Sequence, residues 1–326
     1  MELLRVNRVS KGQPTVLKEI SFAQQHFQNL AIAGETGSGK STLLRTVAGL
    51  VQPDGGEVLF EGRRVRGPLE TLIPGHPGIA YLSQQYELRH HYTVAEVLTY
   101  ANTLSGEEAR RLYDLCQISH LLDRRTDQLS GGEAQRIALC RLLITSPRLL
   151  LLDEPYSNGD TVHKTLLKEV IQDISEQLDI TCTLVSHDPL DVLSWADEVL
   201  VLREGAIVQQ GTPQQVYRQP VNEYVAGLFG AYNFVPAAEA PALAGLLGLQ
   251  ANGKDAVIRP EGLRLVSAEE GGARGVVTGV RFFGAYYETE VAVGPLRLAI
   301  RTGKASHRKG DTTGVAIGAD SVWYLD

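Results

Sequence analysis

The residues Gly34-Glu35-Thr36-Gly37-Ser38-Gly39-Lys40-Ser41 fit the pattern G-x-x-x-x-G-K-[ST], in which backbone N–H groups cradle phosphate oxygens. The glycines allow backbone angles that a β-carbon would forbid, so successive N–H groups converge on one anion. In such a loop Lys40 reaches the β- and γ-phosphates and the Ser41 hydroxyl ligates Mg²⁺, with Thr42 next on the helix. The apolar run Asn29–Ala33 before the loop reads as a strand, and Ser41–Leu50 after it reads as a helix. That helix turns the positive end of its dipole toward the same point. A nucleoside triphosphate with magnesium is the ligand this stretch calls for.

A second constellation is Leu149-Leu150-Leu151-Leu152-Asp153-Glu154-Pro155. The leucines read as a strand buried on both faces, and its carboxyl end is where α/β sheets present ligand groups. Asp153 is placed to hold the magnesium through water, and Glu154 to act as general base toward an attacking water. Taken alone, the pair would be an acidic helix start; downstream of a phosphate loop it reads as catalytic. The third is Leu129-Ser130-Gly131-Gly132-Glu133. Ser130 and Glu133 form an S-x-x-E capping box, while Gly131 and Gly132 bare N–H groups at a helix start, which makes an anion site. A second phosphate-binding helix end in one chain points to a nucleotide shared between two copies.

The intervening elements follow from periodicity. Leu3–Val9 and Ile20–His26 alternate as paired strands do, with a turn over Lys11–Pro14. Pro53–Gly56 is a turn, and Glu57–Val65 reads as a hairpin around Glu61-Gly62. Strand Ile79–Leu82 leads to Ser83-Gln84-Gln85, and the spacing of Val94, Val97, Leu98, Leu112 and Leu115 predicts helix over Thr93–His120. A helix to about Ile144, the leucine strand, a helix over Thr161–Leu178, strand Thr181–Ser186 and a helix from Pro189 complete the alternation. Strands alternating with helices argue for a parallel sheet flanked by helices.

With 326 residues the chain has room for about two domains, and its 43% apolar and 21% charged residues are ordinary for a globular core. The net charge of −7 sets the overall field against nucleic acid. Cys116, Cys140 and Cys182 are odd in number and lack metal-ligand spacing, as reduced cytosolic thiols do. Met1–Arg5 alternates like a first strand and lacks the apolar core of a signal peptide. No apolar run approaches the ~18 residues of a bilayer span, Pro241–Leu249 being the nearest. Any membrane connection is therefore expected through a partner.

Together these residues resemble the ATP-binding subunit of an ABC transporter, from the start of the chain to about residue 230. Gly34–Ser41 resembles its Walker A, Leu149–Glu154 its Walker B, and Leu129–Glu133 its LSGGQ signature with Glu in the last place. Gln84 falls where the family has its Q-loop glutamine, His187 looks like the switch histidine, and Ser157-Asn158-Gly159-Asp160 resembles the D-loop, which adds Asp160 to the nucleotide-binding set. The resemblance implies a head-to-tail ATP sandwich in which Lys40, Ser41 and Asp153 of one copy hold MgATP. Ser130, Gly131, Gly132 and Glu133 of the other copy would close on the γ-phosphate. His187 would orient the water of Glu154, and Gln84 would contact the magnesium and report to a membrane partner. This chain departs from the pattern in three places. Lys11–Pro14 offers no adenine-stacking aromatic, the D-loop carries Gly159 where leucine is common, and Tyr86–Tyr92 lacks the usual proline, with His90 and His91 read as exposed loop residues.

Gly211–Tyr217 and Pro220–Gly230 resemble the end of the ATPase domain in importer-type subunits. Val235–Asp255, rich in Ala, Gly and Pro, reads as a boundary containing one short helix. Short strands follow over Ala256–Arg259, Arg274–Phe283, Tyr286–Val293, Leu296–Arg301, Gly314–Ile317 and Ser321–Leu325, as in a small β-barrel. Arg259-Pro260-Glu261 and Phe283-Gly284 look like the TOBE domain of importers. The expected architecture is therefore a P-loop α/β ABC ATPase domain over 1–234, with a mixed sheet and a helical subdomain, then a small all-β OB-like barrel over 235–326. The barrel's basic residues, among them Arg274, Arg281, Arg301 and Lys304, read as a solvated face, and no nucleic acid is expected. What the resemblance implies is an ATP- and Mg²⁺-dependent, energy-coupling subunit of an ABC importer for iron or polyamine. It would act as a homodimer on the cytoplasmic face of the membrane, with permease subunits and an external substrate-binding protein. The alternative is a soluble ABC-type ATPase acting on nucleic acid or ribosomes, disfavoured by the single phosphate loop and the absence of sustained heptads.

Overall fold

The computed structural model describes residues 1–12, 16–85, 88–89, 91–157, 161–240, 249, 252–267, 272–318 and 320–325. They form two compact units, Met1–Pro213 and Gln214–Asp326. The first runs β1 (Glu2–Lys11), β2 (Leu17–Gln25), β3 (Leu30–Ala33), α1 (Lys40–Val47), β4 (Gly55–Phe60), β5 (Arg63–Arg64), β6 (Ile79–Leu82), α2 (Val94–Thr99), α3 (Gly106–Leu115), α4 (Gly131–Leu143), β7 (Leu149–Asp153), α5 (Thr161–Gln177), β8 (Thr181–Val185), α6 (Pro189–Trp195), β9 (Glu198–Arg203) and β10 (Ala206–Gly211). The alternating N-terminal stretches pair as expected: β1 runs antiparallel to β2 on one side and to β4 on the other, giving a sheet of order β2-β1-β4-β5. The six-stranded sheet has the order β10-β9-β3-β8-β7-β6, parallel except for its β10 edge.

β7 is buried at all five positions, and its alternation divides the unit into two cores. Leu149 and Leu151 join Leu43, Leu44 and Val47 of α1. Leu150 and Leu152 join Ile137, Leu139, Cys140 and Leu143 of α4, with Val170 and Ile174 of α5. Each such leucine contributes about 1.5–3 kcal/mol by leaving water. Because successive side chains of a strand point to opposite faces, α1 and α4 lie on opposite sides of the sheet.

The helical spacing over Thr93–His120 resolves into two helices, α2 and α3, followed by a 3-10 turn at Ser119–Leu121. Thr93 caps α2 and Ser105 caps α3, each with a reciprocal glutamate three residues on, Glu96 and Glu108. Caps of this kind satisfy the free N–H groups of a helix start, so the second one begins a new helix. The hairpin of β9 and β10, turning at Glu204 and Gly205 with φ of 49° and 78°, is an addition to the expected set.

The second unit contains α7 (Pro213–Arg218, its first residue belonging to the first unit), α8 (Glu223–Leu228), β11 (Asn233–Val235), β12 (Ala256–Ile258), β13 (Leu263–Val266), β14 (Ala273–Phe282), β15 (Tyr287–Val293), β16 (Leu296–Thr302), β17 (Thr312–Ile317) and β18 (Val322–Tyr324). The strands form sheets of order β11-β12-β18 and β13-β17-β14-β15-β16 around one core that includes Val235, Ile258, Leu263, Val291, Ile300 and Val315. This is the small all-β domain expected, with β11 and β13 added; the short helix expected within Val235–Asp255 lies mostly outside the described residues.

The unit begins at Gln214 rather than at the compositional boundary of 234/235, and Arg259 supplies the reason. Its buried guanidinium donates to the carbonyls of Tyr217, Ala226, Gly230 and Ala231 at 2.9–3.2 Å and stacks on the Tyr217 ring at 4.2 Å. Burial pulls its pKa below the ordinary arginine value, with the nearby Tyr217 and Glu261 opposing. Arg259→Met leaves those carbonyls unpaired, and at about 1–3 kcal/mol per unsatisfied group the unit should lose about 3 kcal/mol or more. Trp323, whose indole N–H donates to Pro220 O at 2.9 Å, reports this in a urea titration of full-length chain carrying Trp195→Phe. An unchanged midpoint would show the guanidinium to be dispensable.

Candidate functional site

The phosphate loop joins β3 to α1 at the carboxyl edge of the parallel sheet. Its ends are buried and its tip, Glu35–Gly37, is exposed. Gly34 and Gly39 have φ of 152° and 103°, and a β-carbon on them would stand 2.3 Å from Leu202 O and 2.8 Å from Val16 O. No other residue type fits there. Gly37 has φ of 85° and open space around it, so there the backbone angle alone requires glycine. Lys40, 6% exposed, donates to the carbonyls of Gly34 at 2.7 Å and Glu35 at 2.8 Å, curling its ammonium back over the loop. Burial lowers its pKa, while Glu154, Asp153 and Glu35 pull the other way. Among the described residues the buried Ser38 hydroxyl has no hydrogen-bond partner. An unpaired hydroxyl at the base of a glycine-lined cradle fits a phosphate oxygen.

Opposite the loop, Ser41 Oγ donates to Asp153 Oδ1 at 3.0 Å. A hydroxyl and a carboxylate are hard oxygen donors, and with phosphate oxygens and waters they suit Mg²⁺, which needs only one or two carboxylates from the protein. The other oxygen, Asp153 Oδ2, accepts from the Tyr81 hydroxyl at 2.8 Å, and Tyr81 in turn accepts from Arg45 Nε at 3.1 Å. Burial, helped by Asp153 and opposed by Arg45, pushes the Tyr81 phenol up to about 12. Thr42 sits half-buried on the same first turn of α1.

Glu154 follows β7 with φ of 49°, an uncommon angle for a side-chain-bearing residue that costs about 1–3 kcal/mol and clusters at functional sites. Its N–H donates to Val185 O at 2.9 Å, which fixes the kink against β8. The Glu154 carboxylate meets His187 Nδ1 at 3.0 Å. A carboxylate only accepts, so Nδ1 carries the proton. Gln84 Nε2 donates to Ser157 Oγ at 3.4 Å, and Ser157 Oγ to Glu154 O at 2.9 Å, so the glutamine approaches the backbone of Glu154 through a serine. Asn158, Gly159 and Asp160 lie outside the described residues, as do Gln13–Thr15, where an adenine platform would be sought.

The Ser130–Glu133 stretch forms the capping box read from the sequence: Ser130 Oγ accepts from Glu133 N at 3.3 Å, and Glu133 Oε2 accepts from Ser130 N at 2.8 Å. The backbone N–H of Ser130 is the first cause holding the Glu133 carboxyl below its usual range, and Arg124 also pairs with it at 3.1 Å. That carboxylate is therefore engaged within the chain, while the Ser130 hydroxyl retains a proton to donate. A β-carbon on Gly132 would stand 2.3 Å from His163 Cδ2, so glycine lets α5 pack on the helix start.

The sites read from the sequence thus form two groups. Gly34–Thr42, Asp153, Glu154, His187 and Gln84 gather at one edge of the sheet, and Ser130–Glu133 opens a helix on the other face. A cavity of about 770 Å³ lined by Leu112, Leu143 and Leu178 is separate from both. Tyr81 and Arg45 escaped the sequence reading. A signal for Arg45 existed, since it follows Ser41 by four residues and shares its helix face, but Tyr81 needed the register of β6 on β7.

Residues 17–157 match the ABC transporter family, and residues 256–325 match the TOBE domain. The ferric-ion import ATP-binding protein FbpC 1 of Pectobacterium atrosepticum is 33% identical over 297 residues, 86% of this chain and 83% of that protein. The spermidine/putrescine import ATP-binding protein PotA of Clostridium acetobutylicum is 30% identical over 352 aligned positions, 99% of this chain and 96% of that protein. The maltose/maltodextrin import ATP-binding protein MalK of Yersinia pestis is 35% identical over 234 residues, 69% of this chain, and the match spans 62% of the length of that relative. Among solved structures, CbiO1 from Clostridium perfringens, part of the transporter complex CbiONQ, matches with a TM-score of 0.57 at 25% identity, covering 66% of this chain and 90% of that one.

Proposed function

The chain belongs to the ATP-binding subunits of ABC transporters, and from that premise we propose that it is the energy-coupling ATPase of an importer. The observation that carries this is the division of the site. The phosphate loop and Glu154 occupy the carboxyl edge of the sheet with α1, whereas Ser130 and Gly132 begin a helix packed on the opposite face. Two anion-binding ends held on opposite faces of one sheet do not meet on one nucleotide, so a second copy supplies the missing half. The working unit is a homodimer holding ATP between Lys40 and Ser41 of one copy and Ser130 of the other.

The backbone of Gly34–Gly39 and the Lys40 ammonium bind and orient the phosphates, which is where phosphoryl transfer draws most of its rate. Ser41 and Asp153 would hold Mg²⁺, which neutralises charge developing on the phosphates. Gln84, beside Ser157, would complete that shell and register its occupancy. A water attacks the γ-phosphorus, its proton passes to Glu154, and the bond to the β–γ bridging oxygen breaks to release ADP and phosphate. His187, hydrogen-bonded to Glu154, keeps that carboxylate aimed. Binding closes the two copies and hydrolysis releases them, a population shift that drives a membrane partner.

Among the described residues no helix is long and apolar enough to cross a membrane. In this reading, supported by the likeness to import ATP-binding proteins, permease subunits carry the spans and this chain sits at their cytoplasmic face, served by an external binding protein. The TOBE match and the near-full-length likeness to ferric-ion and polyamine import proteins support an importer of one of those cargoes. The test is a pull-down of tagged Glu154→Gln from detergent-extracted native membranes with and without ATP, with Lys40→Ala as control. A multi-spanning membrane protein recovered with ATP is the expected result. Soluble partners or RNA alone, with extraction verified, would move the function to a soluble ATPase.

A further inference from the structure

The geometry assigns to Tyr81, held by Arg45, the role of a positioning residue that fixes the Asp153 carboxylate for the magnesium–nucleotide complex. This rests on the reading of Asp153 as the metal-side carboxylate and goes beyond it in naming what aims that group.

The direction of each hydrogen bond follows from donor and acceptor chemistry. Arg45 has only N–H donors, so at 3.1 Å the Tyr81 oxygen must accept from it. The single phenolic proton of Tyr81 is thereby directed at Asp153 Oδ2, 2.8 Å away. Asp153 Oδ1 meanwhile accepts from Ser41 at 3.0 Å. Each oxygen of Asp153, a residue only 2% exposed, is held by one donor, which sets the plane of the carboxylate and leaves lone pairs on both oxygens for a metal-bound water.

Strand register and helix period bring these donors together. Tyr81 pairs with Leu151 across β6 and β7, and Asp153 lies two residues beyond Leu151 on the same face. Ser41 and Arg45 are four apart in α1 and so lie on one side of the helix, where Ser41 meets Asp153 at the end of β7 and Arg45 meets Tyr81 of β6. α1 therefore grips Asp153 twice, directly through Ser41 and through Tyr81 by way of Arg45. Packing alone does not ask for this hydroxyl. Tyr81 adds its ring to the apolar cluster of α1 and β7, a task phenylalanine would do as well. Partners behind a metal ligand fix its orientation, and their loss costs about 10–100-fold in metal affinity or activity.

The test uses full-length chain and the β,γ-imido analogue of ATP, titrated calorimetrically with Mg²⁺ and with EDTA. In Tyr81→Phe the affinity in EDTA should match wild type, while the gain conferred by Mg²⁺ should shrink by about tenfold. Arg45→Met should show a smaller loss of the same kind, and less of one when Tyr81 is already phenylalanine, since it acts through that hydroxyl. A merely structural role would lower thermal stability and weaken binding equally in both buffers, overturning the proposal. An unaltered Mg²⁺ gain in Tyr81→Phe would overturn it too. If wild type itself gains nothing from Mg²⁺, the metal reading of Asp153 fails instead, so the two failures are told apart.

Discussion

Lys40→Ala is expected to raise the dissociation constant for ATP by about 10²-fold or more while the protein stays folded. A hydrogen bond to a charged group contributes about 1.5–3 kcal/mol, and every 1.4 kcal/mol is tenfold in affinity, so loss of contacts to two phosphates reaches that range. The loop is built around this cation. Its ammonium is held at 2.7 and 2.8 Å by the carbonyls of Gly34 and Glu35, from which it has only to swing toward an arriving phosphate. Burial lowers the pKa of this amine, and the negative charge of Glu154, Asp153 and Glu35 opposes that. Alanine keeps the helix start, since it is the best helix former and the glycine angles lie on other residues. Lys40→Arg should fail to restore binding, because a planar fork does not occupy the space of a compact ammonium in a buried loop. Isothermal titration of both variants beside wild type, with thermal unfolding as a check on folding, measures this. Wild-type affinity in Lys40→Ala would remove the loop from the nucleotide site.

Much of this site is legible in the sequence because its parts are contiguous. Gly34–Ser41 carries its own backbone conformation, and Leu149–Asp153 carries both its burial and its place at a strand end. The pairing of His187 with Glu154 follows once both end neighbouring parallel strands, β7 and β8. What stayed hidden depends on register or on local competition. Apolar spacing over Thr93–His120 says helix but not where one helix ends and the next begins; the break is set by Ser105 and Glu108, the same S-x-x-E pattern as at Ser130. Tyr81 is an ordinary strand residue until β6 is laid on β7. The start of the second unit lies in Arg259, whose carbonyl partners run from Tyr217 to Ala231 across a composition that does not change.

Glu154→Gln is expected to bind ATP with little change in affinity, to lose about 10²–10⁴-fold in turnover, and to accumulate as an ATP-dependent dimer in gel filtration. The substitution keeps shape and a hydrogen-bonding end but removes the ability to take a proton, so it separates binding from chemistry. The geometry around Glu154 favours this outcome over a structural one. Its backbone is held at a φ of 49° by the N–H bond to Val185 and by the Ser157 hydroxyl on its carbonyl, neither of which involves the side chain. Glutamine therefore inherits the kink, and the amide oxygen still accepts from His187 Nδ1. His187→Ala should cost less, because it removes the support of the base and leaves the base itself. A Glu154→Gln enzyme that turns over at the wild-type rate would leave proton transfer to another group, and strain at residue 154 would then need an explanation in the closing of the dimer. A variant that is slow yet stays monomeric with ATP would keep Glu154 as base and break the link between the bound γ-phosphate and the second copy's Ser130.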